Sequence, residues 1–270
     1  MFQRKSVRET FSLDIHGQKL FGMIHKPLLA NCKGTLLICH GLGGDKVGRY
    51  RGYVTLAEEL AERGIATIRF DYRGCGDSEG LFSELTLESQ MEDAIAVVSV
   101  VDHMVQGRSK QPLPLLLLGR SFGGLVATCV AARFPDLVAG LILWSAVYDG
   151  LPWQPLWEAF QQGKQVDLQD HSLMRVNGEP VNLLLFKQLF EIDMRQEIEA
   201  TSHLPLLHLH GTADEVVSIQ HAEAYQKARK PAEAISQFVQ FPAADHRFSD
   251  SIQRKEAIDL VVAWCDKLLR

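Results

Sequence analysis

The sequence has no surplus of positive charge, no paired cysteines and no long apolar run. Its 28 Lys and Arg residues are outnumbered by 33 Asp and Glu, for a formal net charge of -5, and no Lys/Arg-rich cluster or zinc-finger spacing occurs. Nothing in it is suited to neutralising a row of phosphates, so nucleic acid is not an expected partner. The five cysteines, Cys32, Cys39, Cys75, Cys129 and Cys265, are odd in number, scattered and without a C-x-x-C pair. That argues against a disulfide framework and for reduced, buried thiols. No segment approaches the roughly 18 uninterrupted apolar residues of a membrane helix. Residues 1–17 mix charges and lack the apolar stretch and small-residue cleavage site of a secretion signal. The expectation is a cytoplasmic protein without stable membrane insertion. Internal repeats and low-complexity segments are also missing.

What is present is a composition of 46% hydrophobic and 23% charged residues over 270 positions, enough to bury one large core in a single domain. Two strand-like segments, 10–15 and 19–25, are joined at His16-Gly17-Gln18 and read as an antiparallel hairpin. After them come short apolar runs at 35–39, 66–70, 115–118, 140–144, 206–210 and 238–241, several without polar alternation, as in strands buried on both faces. Helical patterns at 53–63, 87–104, 125–134, 219–229 and 251–269 lie between and after them. This alternation predicts an α/β fold with a mostly parallel, doubly wound sheet.

The alternation breaks once, over 148–203, where Trp153, Trp157, Phe160, Phe186 and Phe190 accompany a turn signal at Asn177-Gly178. This segment is expected to be an inserted cap, with 1–147 and 204–270 forming the core domain. Trp153, Trp157 and Phe160 follow i, i+4, i+7 spacing and would form one helical stripe. Such a stripe would line a substrate pocket, pack on the core, or do both.

Serine-based acyl transfer needs a nucleophile, a base, an acid that orients the base, and donors for the oxyanion. The pattern G-x-S-x-G occurs twice, at Gly119-Arg120-Ser121-Phe122-Gly123 and at Gly76-Asp77-Ser78-Glu79-Gly80. Only the first follows a buried-strand run and opens a helical run, the setting of a nucleophile elbow. Ser121 is therefore the expected nucleophile. Ser78 follows a polar, glycine-rich loop and reads as a turn residue whose hydroxyl satisfies nearby backbone.

A base must come from another strand-end loop. His246, after the last strand run, fits best, whereas His40 and His210 each precede a glycine and are assigned to their turns. Asp214 lies between Ser121 and His246 in chain order and follows the penultimate strand run. It is the expected orienting acid, with Glu215 its local competitor and helix capping near Ile219 its other reading. Asp245 adjoins His246, but neighbouring side chains in an extended loop point apart. The backbone N–H groups of Leu42 and Phe122 are the expected oxyanion donors. The glycines around Leu42, in Cys39-His40-Gly41-Leu42-Gly43-Gly44, let that loop aim its amides. The same loop lacks the lysine of a phosphate-binding P-loop. His208 and His210 would share a strand face but find no third ligand, so no metal site is expected.

These residues resemble the α/β-hydrolase serine hydrolases, particularly the cinnamoyl (feruloyl) esterase-like and serine aminopeptidase S33-type branch. The resemblance rests on His40-Gly41-Leu42-Gly43-Gly44, 71–80, Gly119-Arg120-Ser121-Phe122-Gly123-Gly124, His210-Gly211-Thr212-Ala213-Asp214 and Ala244-Asp245-His246. It implies an eight-stranded sheet with a cap inserted after the sixth strand, no cofactor, and a structural Ser78 in a loop of the form D-x-R-G-x-G-x-S-x-G. It also implies a small-molecule ester as substrate, with aromatic-acid esters suggested by the feruloyl branch. A thioesterase, an acyltransferase or an aminopeptidase would use the same triad, and a catalytically silent scaffold would be expected to lack part of it. Helices flanking a doubly wound sheet offer surfaces on which a homodimer could form.

Overall fold

The computed structural model describes residues 5–28, 32–106, 112–150, 153–162 and 175–270, with the side chains of Gln106, Leu156, Phe160 and Arg175 excepted. Strands β1 (Ser6–Ile15) and β2 (Gln18–Pro27) pair antiparallel through a two-residue turn. Both turn residues, His16 and Gly17, have positive φ, the geometry that matches strand twist in tight hairpins. The chain then alternates β3 (Gly34–Cys39), α1 (Gly52–Glu62), β4 (Ile65–Phe70), α2 (Leu87–Gln106), β5 (Leu115–Arg120), α3 (Phe122–Arg133) and β6 (Val138–Trp144). After the segment that follows β6 it resumes with β9 (Leu206–Gly211), α7 (Ile219–Ala228), β10 (Ser236–Phe241) and α8 (Ser251–Leu268).

The sheet has eight strands in the order β1-β2-β4-β3-β5-β6-β9-β10, and β2 alone runs against the rest. This is the expected mostly parallel, doubly wound arrangement, with each strand run found and extended by one to four residues at an end. The strand residues divide by parity. Leu115 and Leu117 join the core beneath α2 and α3, while Leu116 and Leu118 join the core beneath α1 and α8. Each fully buried leucine contributes on the order of 2 kcal/mol of apolar burial. Such a run cannot alternate with polar residues because neither face meets water. Helix α3 is buried on all sides from Phe122 to Ala131, since α2 and the later helix Met194–Ala200 cover the flank that β5 and β6 leave open.

Between β6 and β9 the chain leaves the sheet to form α4 (Gln154–Gln161), the hairpin β7 (Arg175–Val176) and β8 (Glu179–Pro180), α5 (Leu183–Glu191) and α6 (Met194–Ala200). Asn177 and Gly178 make the hairpin turn with φ of 55° and 88°, as the sequence signal implied. Trp153 precedes α4 rather than lying on it. Its ring meets Phe186 of α5 at 5.7 Å, and Trp157 stacks on Phe190 of α5 at 5.5 Å. The side chain of Phe160 lies outside the described residues. No helix among the described residues is long and apolar enough to cross a membrane.

Candidate active site

The site lies where the winding of the sheet reverses. Strands β4 and β5 flank β3 on opposite sides, so the chain leaves the carboxyl ends of β3 and β5 in opposite directions, the place where open α/β sheets form their ligand crevice. The register Cys39↔Gly119 sets His40 and Gly41 beside Arg120 and Ser121. A methyl at Gly41 would stand 3.0 Å from Ser121 Cβ and 3.5 Å from its Oγ.

Ser121 sits in the turn between β5 and α3 with φ 54° and ψ -125°, a conformation costing a non-glycine residue on the order of 1–3 kcal/mol. The surroundings enforce it. Ser121 N donates to Trp144 O at 3.0 Å, and its carbonyl accepts from Gly124 N at 2.9 Å and Val147 N at 3.0 Å. A methyl at Gly123 would come within 2.2 Å of Cys39 O, so only glycine lets α3 begin this close to β3. The hydroxyl makes no hydrogen bond among the described residues.

Asp214 and His246 leave the ends of β9 and β10, which pair in parallel up to Gly211↔Phe241. His246 Nδ1 and Asp214 Oδ2 are 2.7 Å apart. The other oxygen, Oδ1, accepts from Val216 N at 3.0 Å and Val217 N at 2.7 Å. Burial alone would raise the Asp214 carboxyl. The hydrogen bond and charge of His246, the Val217 amide and nearby His210 outweigh it and hold the group below its ordinary value. Glu215 is exposed, and Ser218 rather than Asp214 caps α7. Asp245 turns to the Ser249 amide and hydroxyl at 2.8 and 2.6 Å. An imidazole held at Nδ1 by a carboxylate is fixed in the tautomer whose Nε2 can take a proton.

The two amides expected to bind an oxyanion are differently situated. Phe122 opens α3, where an N–H has no acceptor one turn earlier. Leu42 is the second residue of a turn closed by Gly44 N donating to Gly41 O at 2.9 Å, which leaves the Leu42 amide outside that bond. His40 braces the turn, with Nδ1 2.8 Å from Gly41 O and Nε2 accepting from Tyr72 N at 3.3 Å. His210 likewise contacts Val217 O through Nε2 at 2.8 Å. Burial lowers both histidines below their ordinary range. Ser78 behaves as the loop residue anticipated: Oγ donates to Asp71 O at 2.7 Å and accepts from Phe21 N at 2.9 Å. Four cysteines are buried and Cys32 is partly so, all as free thiols, and burial pushes Cys39 and Cys75 up to about 12. Among the described residues no group of three His, Cys, Asp or Glu side chains is placed to hold a metal ion.

Two contacts were not anticipated from the sequence. Arg120, inside the elbow motif, turns back and donates from Nη2 to His246 O at 2.8 Å. Its guanidinium lies 5.0 Å from the Trp144 ring and 6.0 Å from that of Phe248. Asn177 Nδ2 donates to Gly43 O at 2.7 Å. The second joins segments too distant in sequence for any local pattern to register.

Comparison with known proteins agrees with this fold. The uncharacterised protein YfhR of Salmonella typhimurium is 29% identical over 229 residues, covering 80% of this chain and 65% of the relative, so the match spans just under two thirds of that protein's length. The mitochondrial palmitoyl-protein thioesterase ABHD10 of Mus musculus is 27% identical over 222 residues, 80% of this chain and 69% of the relative. Among solved structures, ferulic acid-bound Est1E from Butyrivibrio proteoclasticus superimposes with a TM-score of 0.78 at 22% identity, covering 96% of this chain and 99% of that one. At that identity the likeness establishes the shared fold. The family model described as serine aminopeptidase, S33 matches residues 30–174, more than half of the chain and the stretch that holds the 41–44 turn and Ser121. The chain therefore belongs to the serine aminopeptidase, S33 family of hydrolases, built on the α/β-hydrolase fold.

Proposed function

We propose that the protein is a serine-dependent carboxylic ester hydrolase in which Ser121 attacks, His246 moves the proton and Asp214 orients His246. The observation that carries this reading is the 2.7 Å contact between His246 Nδ1 and Asp214 Oδ2, on a loop tied through Arg120 to the turn in which Ser121 is held at φ 54°. In the reaction, Ser121 Oγ forms a bond to the ester carbonyl carbon while its proton passes to His246 Nε2. The Leu42 and Phe122 amides take up the charge on the carbonyl oxygen. Collapse breaks the carbon–alkoxy bond, and the alkoxide leaves as alcohol with the proton from Nε2. Water then repeats the sequence on the acyl-enzyme, releasing the acid and freeing Ser121. Each amide donor would stabilise the transition state by about 2.7–4 kcal/mol. A hydrogen bond from Ser121 Oγ to His246 Nε2 would form once substrate is bound.

Residues 148–203 would form the cap over this crevice, and Trp153 and Trp157 would contribute apolar surface to it. Esters of aromatic acids are the favoured substrates, supported by the likeness to a protein solved with ferulic acid. A thioester substrate is the second reading, favoured by the relative named as a palmitoyl-protein thioesterase. Comparing kcat/KM for an acyl p-nitrophenyl ester and the matching acyl thioester separates the two. The mechanism itself is tested with Ser121→Ala, which should lose ester turnover and fluorophosphonate labelling; a variant that still turns over ester at the parental rate sinks it.

A further inference from the structure

Asn177 occupies a turn position that asparagine fills for conformational reasons, since a two-residue turn with both φ values positive favours Asn-Gly. Its side chain does something the turn does not require. Nδ2 crosses to the 41–44 loop and donates to Gly43 O at 2.7 Å. Gly43 itself has φ +63°, and a methyl there would stand 2.4 Å from Val176 Cγ1, so the hairpin β7–β8 is seated directly on this loop.

The loop needs such a support. Gly41, Gly43 and Gly44 make it conformationally permissive, and its one internal backbone bond, Gly44 N to Gly41 O, leaves the Gly43 carbonyl to outside donors. His40 braces Gly41 on the strand side; Asn177 braces Gly43 on the side of the inserted segment. Between the two lies Leu42. Stabilisation of an oxyanion depends on donors already aimed before charge develops, and small misplacement of one donor is enough to slow the chemical step.

We propose that Asn177 is a positioning residue, which holds the 41–44 turn and through it the Leu42 N–H, so that the inserted segment completes the oxyanion site as well as covering it. The inference rests on the hydrolase mechanism above, with Leu42 as a donor. Its test uses substitutions that keep the turn. Asn177→Gly retains the positive φ, and Asn177→Asp retains the shape while replacing the donor by an acceptor facing a carbonyl. With p-nitrophenyl acetate, both should lower kcat by about two- to twelvefold, the effect of one neutral hydrogen bond, with KM changed less than twofold and the thermal midpoint of unfolding unchanged. Fluorophosphonate labelling should slow in step. Parental kcat in Asn177→Gly overturns the proposal, as does a rise in KM at unchanged kcat, which would make the hairpin a substrate contact only. Ser121→Ala measured alongside keeps the two ideas apart. Its inactivity together with a fully active Asn177→Gly defeats the positioning role alone, whereas an active Ser121→Ala removes the mechanism and this inference with it.

Discussion

Ser78 and Ser121 carry the same five-residue signature, and their surroundings give them opposite uses. The Ser78 hydroxyl is enclosed, bonded both to Asp71 O and to Phe21 N, and so ties the 71–80 loop to β2. Ser121 has its backbone held on both sides and its hydroxyl unbonded among the described residues. Ser78→Ala should therefore lower stability by about 1–3 kcal/mol, the cost of stranding two buried polar groups, while fluorophosphonate labelling persists. Denaturant unfolding and probe labelling of the same sample check both halves, and loss of labelling in a folded Ser78→Ala protein would refute the assignment. This distinction was legible in the sequence, because an apolar run before one copy and a polar loop before the other reflect which serine ends a buried strand.

At the scale of elements, the site depends on how strand ends are tied together. Arg120 ends β5, and its guanidinium holds the carbonyl of His246, a residue of the loop between β10 and α8. Burial draws that guanidinium below its ordinary value, against the opposing pull of Tyr53, Asp214 and Asp245. The contact is a charge-assisted bond beside two aromatic rings. Arg120→Gln should lower kcat by roughly 10- to 100-fold, corresponding to loss of a bond of about 1.5–3 kcal/mol to a charged donor, with Arg120→Lys recovering part of it. Steady-state kinetics on both variants would show this; equal kcat in parent and Arg120→Gln would mean that the His246 loop holds itself. The strand and helix runs were legible because burial on two faces removes polar alternation. The Trp153, Trp157 and Phe160 spacing was less informative. Two of these rings pack on α5, and an aromatic stripe at helical spacing looks the same whether it faces a ligand or a neighbouring helix.

Across the whole molecule, several histidines are enclosed where charging is costly. His25 and His208 are 0% and 1% exposed. Burial, aided by Arg69, pulls His25 down to about 3, and burial, aided by His210, holds His208 well below the ordinary value. For a histidine whose folded pKa is lowered, the unfolded chain binds the extra proton first. Its contribution is therefore intact above about pH 6.5 and is lost as pH falls towards the folded value, at up to ~1.4 kcal/mol per pH unit for each group. Asp214, held low, adds a loss of the same sign only further down, below the ordinary aspartate range. Unfolding temperature should fall between pH 7 and pH 5, and His208→Leu should fall less than the parent across that interval. Parallel slopes would show that His208 does not contribute.

The doubly wound sheet, the strand-to-helix turn that holds Ser121 and not Ser78, and the strand ends that Asp214 and His246 follow were legible in the amino-acid order, because each follows from the order of apolar runs and the turn residues beside them. The support of that site was decided by tertiary structure alone. Arg120 reaches His246, and Asn177 reaches Gly43, only because parallel pairing and the path of the segment after β6 bring distant positions together. A hydrogen bond between such positions depends on three-dimensional placement, which leaves no periodicity or local motif to read.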